Sequence, residues 1–135
     1  MSSELPTFNN RGSRWPLELK QGGTFGPVRV TLIDPLTQQP MNLTGCSLRG
    51  QVRRSALDPA VSATFQVVPA ADPAEGWFEF GLTDELMAGL VAGAKIADAP
   101  SLYEYDVELE DSQGRVLEVL WGSLRVAAEV TRPVP

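Results

Sequence analysis

The sequence predicts a mainly β fold: an antiparallel sandwich of about seven to eight strands with one short helix and an extended N-terminal arm. Three observations lead there. Apolar and polar residues alternate at period two through most of the chain, turn signals rich in glycine and proline separate the alternating runs, and helical spacing occurs in one segment only. A chain of 135 residues suits one domain with one core. Its 43% apolar and 21% charged residues place it among ordinary globular chains, with no need of metal or crosslink to stabilise a core.

Residues 1–14 are polar and aperiodic and read as the arm, with Leu5, Phe8, Arg11 and Arg14 as its candidate contacts to a neighbouring subunit. Fully extended, such a segment spans about 45 Å, well beyond the radius of a domain this size. The sandwich is expected over 15–131 and a short tail over 132–135. WPLELK (15–20) alternates Trp15, Leu17 and Leu19 against polar residues, and QGGTFGP (21–27) then breaks the pattern as a loop. VRVTLID (28–34), SLRGQVRR (47–54), VSATFQVV (61–68) and WFEFGL (77–82) continue the alternation, with DPLTQQP, Asp58-Pro59 and Asp72-Pro73 marking turns between them. TDELMAGLVAG (83–93) spaces Leu86, Leu90 and Val91 helically. Thr83 stands at the cap, Asp84 and Glu85 in the first turn, and Gly93 at the stop, so a helix over about 83–92 closes one end of the core.

YEYDVELEDSQGRVLEVLWG (103–122) carries Glu104, Asp106, Glu108 and Glu110 at every second position. Such acids could hold a cation, divide acid and base roles, or form the wet side of a strand. Asp111-Ser112-Gln113-Gly114 predicts a three-residue hairpin loop that pairs Asp111 with Arg115. Counting outward, Leu109 faces Leu117, Val107 faces Val119 and Tyr105 faces Trp121, making these six the core of the hairpin. The acids then point away from the core, with Glu108 across from Glu118 and Arg49 or Arg53 available to neutralise them. A solvated or subunit-facing acidic strand is favoured over a weak Ca²⁺ site, whose ligands usually come from a loop. LRVAAEVT (124–131) completes the strands.

A net charge of −6 argues against nucleic acid as partner. The absence of histidine removes histidine-based triads, histidine-ligated zinc and imidazole bases. No catalytic residue, metal or cofactor is expected, and a small-molecule ligand is not favoured. The lone Cys46 permits a reducing compartment, and no secretory signal or membrane-spanning run is present. QGGTFGP lacks the ending of a phosphate loop, and Asn42-Leu43-Thr44 reads as a turn. Trp15, Trp77 and Trp121 could form a sugar-stacking platform, but Trp121 is assigned to the core by the hairpin count.

Several landmarks, taken in order, resemble the small immunoglobulin-like β-sandwich domains of tailed-bacteriophage virion proteins, such as those of baseplate and tail-fibre adaptors. They are Gln21-Gly22, Leu43-Thr44-Gly45 before a strand with Arg53, Gly76 opening WFEFGL, the Leu-Thr helix start, Tyr105-Asp106, Gly114, Gly122 and Val130-Thr131. The resemblance covers roughly 17–131. It implies an immunoglobulin-like sandwich and a non-enzymatic virion protein, made in the host cytoplasm, that attaches to other virion proteins and to copies of itself. Because the chain ends soon after Val-Thr, a stand-alone tail, baseplate or fibre adaptor is expected, with a capsid decoration protein as runner-up. A carbohydrate-binding module for host glycan and a carboxylate-dependent hydrolase are the readings from other classes.

Overall fold

In a computed structural model, residues 11–90 and 101–127 are described. Among them the alternating runs become nine strands: β1 (Arg11–Arg14), β2 (Leu17–Lys20), β3 (Phe25–Thr31), β4 (Ser47–Arg53), β5 (Ala63–Thr64), β6 (Gln66–Pro69), β7 (Trp77–Leu82), β8 (Ser101–Glu110) and β9 (Val116–Ala127). They build two sheets. The larger has the order β1-β9-β8-β4-β5, with β2 following β1 along the same edge of β9, and the smaller has the order β3-β7-β6. Pairing is antiparallel except where β1 and β2 run parallel to β9. The second, fourth, eighth and ninth strands against the third, sixth and seventh give the immunoglobulin arrangement of a sandwich.

The core fills the space between the sheets. Phe78 and Phe80 of β7 face Val52, Tyr105, Val107, Leu109, Leu124 and Val126 of the larger sheet. Phe80 is the hub of an aromatic cluster, edge-on to Phe25 at 5.5 Å and to Phe65 at 5.3 Å between ring centroids. Gly50 of β4 makes room for it: a Cβ there would lie 2.9 Å from the Phe65 ring and 3.1 Å from a Val107 methyl. The helix α1 (Asp84–Met87) is shorter than the periodicity predicts, but Thr83 caps it, its hydroxyl oxygen accepting from the Leu86 N–H at 3.2 Å. Met87 and Leu90 are buried at the end of the core, and α1 touches β5 and β7, one strand from each sheet. Positions 91 and 92 of the expected helix, and Gly93 as its stop, lie outside the described residues.

Several expectations about strand limits change: the run 61–68 divides into β5 and β6, which lie in different sheets, and β3 starts at Phe25, inside the segment expected as a loop. Arg11–Arg14, taken as the end of the arm, form β1, with Arg11 opposite Glu118 and Arg14 opposite Trp121. The two strands expected on either side of Gly122 are one, because β9 runs through that glycine without a break. Gly122 is needed there for another reason: a Cβ would sit 2.8 Å from the Trp15 carbonyl oxygen, where the chain passes from β1 to β2. Leu5 and Phe8, the tail 132–135 and residues 128–131 lie outside the described residues.

Candidate functional site

The β8–β9 hairpin starts in the predicted register. Gly114 takes φ 81, and the Asp111 N–H donates to the Arg115 carbonyl at 2.9 Å. The Asp111 carboxylate closes the loop, accepting from the Gln113 and Arg115 N–H groups at 2.9 Å each and from Arg115 Nε at 2.7 Å. Burial raises the pKa of this carboxyl, and the hydrogen bonds from Arg115 and Gln113 outweigh that effect, so the net shift is downward. Glu110 faces Val116, Leu109 faces Leu117 and Glu108 faces Glu118, as counted from the turn.

At the next pair the count breaks. Val107 faces Leu120 and not Val119, so β9 carries one extra residue. This is a β-bulge: Val119 and Leu120 are both buried against a single residue of β8. Beyond it the alternation of β9 is reversed. Leu120, Gly122, Leu124 and Val126 turn inward, while Trp121 and Ser123 turn out. Tyr105 therefore faces Gly122, and Trp121 faces Asp106. Of the six residues assigned to the hairpin core, Tyr105, Val107, Leu109 and Val119 are buried and Leu117 is half-buried against the core. Trp121 is the correction: the bulge turns it onto the acidic face.

β1 follows the distortion closely. Gly12 lies between the residues opposite Glu118 and Leu120, and a Cβ there would be 2.1 Å from the Val119 carbonyl oxygen. Only glycine lets the edge strand pass the bulge at this distance. Arg14 then lies with its guanidinium carbon 5.9 Å from the centroid of the Trp121 ring.

The outer face of the larger sheet is thereby hollowed into a groove of about 450 Å³, lined by residues of β1, β4, β8 and β9. Arg49 lies 3.1 Å from Glu108 and 3.9 Å from Glu110, the neutralisation expected of it. Arg53 is used differently: it donates to the carbonyls of Asp58 and Pro59 at 2.9 and 2.7 Å and to the Gln51 side-chain oxygen at 3.0 Å. Glu104 accepts from the Ala56 N–H at 2.7 Å, so the loop after β4 is tied down on both sides. Asp106 and Glu118 hydrogen-bond to each other across the bulge. Burial first, then the charge of Glu108 and the contact with Glu118, push the Asp106 carboxyl up to about 6, against the opposing charge of Arg53.

The other motifs fall elsewhere. Trp77 lies on the outer face of the smaller sheet, with the Arg29 guanidinium 3.6 Å from its ring centroid, and Trp15 packs its edge on Phe80 at 6.4 Å. The three tryptophans do not form one platform. Asn42 accepts from the Thr44 N–H at 3.0 Å and hydroxyl at 2.6 Å, the turn expected there. Cys46 is half-buried, its thiol pKa raised by burial and by the Asp111 charge. Among the described residues no cluster of three or more acidic or cysteine groups is placed to hold a metal ion, and no helix is long and apolar enough to cross a membrane. The groove could have been found from sequence: Leu120, Gly122, Leu124 and Val126 alternate one position out of phase with Leu117 and Val119. No family model matches the chain, and no curated protein matches it in sequence.

Proposed function

We propose that the chain is a non-enzymatic structural protein of a tailed-bacteriophage particle, joining virion subunits as a tail, baseplate or fibre adaptor. The observation that carries this reading is the entry of the chain into the sandwich. β1 lies on the outer rim of the larger sheet, parallel to β9, so whatever precedes Arg11 starts from a sheet edge. Sheet edges are the places where small sandwiches accept strands from other chains. β5, only two residues long, and the edge strands β3 and β6 provide further attachment lines to other virion proteins or to copies of the chain. A capsid decoration protein would use the same edges, and the location on the particle separates the two.

The test is to remove residues 2–10 while keeping β1, and to compare incorporation into particles with the full chain. Immunogold imaging of the intact particles gives the location. Loss of incorporation with an unchanged melting temperature is the expected result. Particles that carry no copy of the full chain would overturn the reading.

A further inference from the structure

We propose that the groove on the outer face of the larger sheet is a binding site for a neutral oligosaccharide, with Trp121 as the surface on which a sugar ring stacks. The inference is independent of the particle assignment and rests on the shape and chemistry of the groove.

Its volume of about 450 Å³ lies within the range of small-ligand sites, about 300–1,000 Å³. An anion or a cation would need an unmatched opposite charge, and the lining offers little. Arg49 is held by Glu108 and Glu110, and Arg53 by two backbone carbonyls and Gln51. Asp106 and Glu118 are held by each other, and Glu104 by a backbone N–H. Three guanidinium groups face four carboxylates, so the groove carries little net charge.

What remains is a mixture of directional hydrogen-bonding groups: the Gln51 amide, the Ser123 hydroxyl, the Arg14 guanidinium and the Asp106 and Glu118 carboxyl groups. Beside them lies one large aromatic side chain, turned outward by the bulge and half-buried in the groove wall. A sugar has the matching construction, with hydroxyl groups around its rim that both donate and accept, and an apolar face of C–H bonds that rests on an aromatic ring. A flat apolar partner would leave the polar lining unsatisfied, at a penalty for every buried group.

The experiment is a titration of the full chain with soluble neutral trimers to pentamers of glucose, galactose, mannose and N-acetylglucosamine, followed by the tryptophan indole N–H resonances and by calorimetry. At least one member is expected to shift the Trp121 resonance and to saturate. Trp121→Ala and Gln51→Ala should each weaken it about tenfold or more, and Trp77→Ala, on the other sheet, should leave it unchanged. Gln51→Ala removes a half-buried side chain outside the core, so it decides the matter if Trp121→Ala does not fold. No saturable shift from any member of the panel, binding that survives both groove variants, or binding confined to sialylated or phosphorylated sugars would each overturn the proposal.

Discussion

Asp106 makes the stability of this protein depend on pH in a direction opposite to that of most carboxylates. The Asp106 carboxyl moves from 3.8 to about 6 on folding, chiefly through burial. Below 3.8 it is protonated in both states, and above about 6 it is ionised in both. Between these limits folding takes up a proton, so the stability this group contributes is complete at low pH and is lost as pH rises through 6. Each pKa unit corresponds to about 1.4 kcal/mol, and the displacement would amount to about 3 kcal/mol for a fully buried group. Asp106 is only half-buried, and solvent screening reduces this to about 1–2 kcal/mol. Asp106→Asn keeps the shape and removes the charge, so at pH 8 it should raise the melting temperature by about 3–8 °C. At pH 4, where folded Asp106 already holds its proton, little of that gain should remain. The assay is thermal unfolding followed by far-UV circular dichroism across pH 4–8. Equal gains at both ends, or a loss of stability at pH 8, would refute the raised pKa of Asp106.

Other perturbations separate the parts of the fold. Gly12→Ala places a methyl against the Val119 carbonyl and should unseat β1, read as faster amide exchange along Glu118–Trp121 and a loss of about 1–3 kcal/mol. Phe80→Ala empties the centre of the aromatic cluster and should lower stability by about 3–5 kcal/mol in urea titrations. Asp111→Ala removes three hydrogen bonds from the hairpin loop and should destabilise at neutral pH. The Asp111 pKa is lowered in the fold, so its contribution is present above 3.8 and is lost as pH falls through the lowered value; the gap between wild type and variant should close in acid.

Most of the architecture was legible because a sandwich is written in short-range patterns. Period two identified WFEFGL as a strand with the limits of β7, and the Thr83 cap placed the start of α1. The hairpin loop was readable because Asp111 and Gly114 each do something few residues can: one accepts several turn N–H groups, and the other takes a positive φ. Pairing between distant segments was less accessible. That Arg11–Arg14 would lie parallel to β9 depends on more than 100 residues of intervening chain, and the polar composition of β1 gives no alternation to read. The same holds for the arginines. Arg49 could be matched to Glu108 by assuming its strand lay alongside, whereas the capture of Arg53 by the loop at Asp58 and Pro59 follows from how that loop folds back.

The groove was missed for a more specific reason, and it shows how a single extra residue separates a wet strand face from a site. Without the bulge, Trp121 would face Tyr105 inside the sandwich, and Glu118 would be followed outward by Leu120 and Gly122. That face would have no aromatic surface. Inserting Val119 brings a large ring out beside Asp106, while Leu120 takes its place in the core and Gly122 gives the β1–β2 connection room to cross. Reading Gly122 as the end of one strand and Leu124 as the start of another concealed the reversal, because each half is regular by itself. A deletion of Val119 tests this coupling directly. It should restore the simple register, return Trp121 to the core side and expose Leu120, and so lower stability by the several kcal/mol that mispacking of two large residues entails. Retention of the wild-type melting temperature by that deletion would mean that the bulge does not decide which face Trp121 occupies.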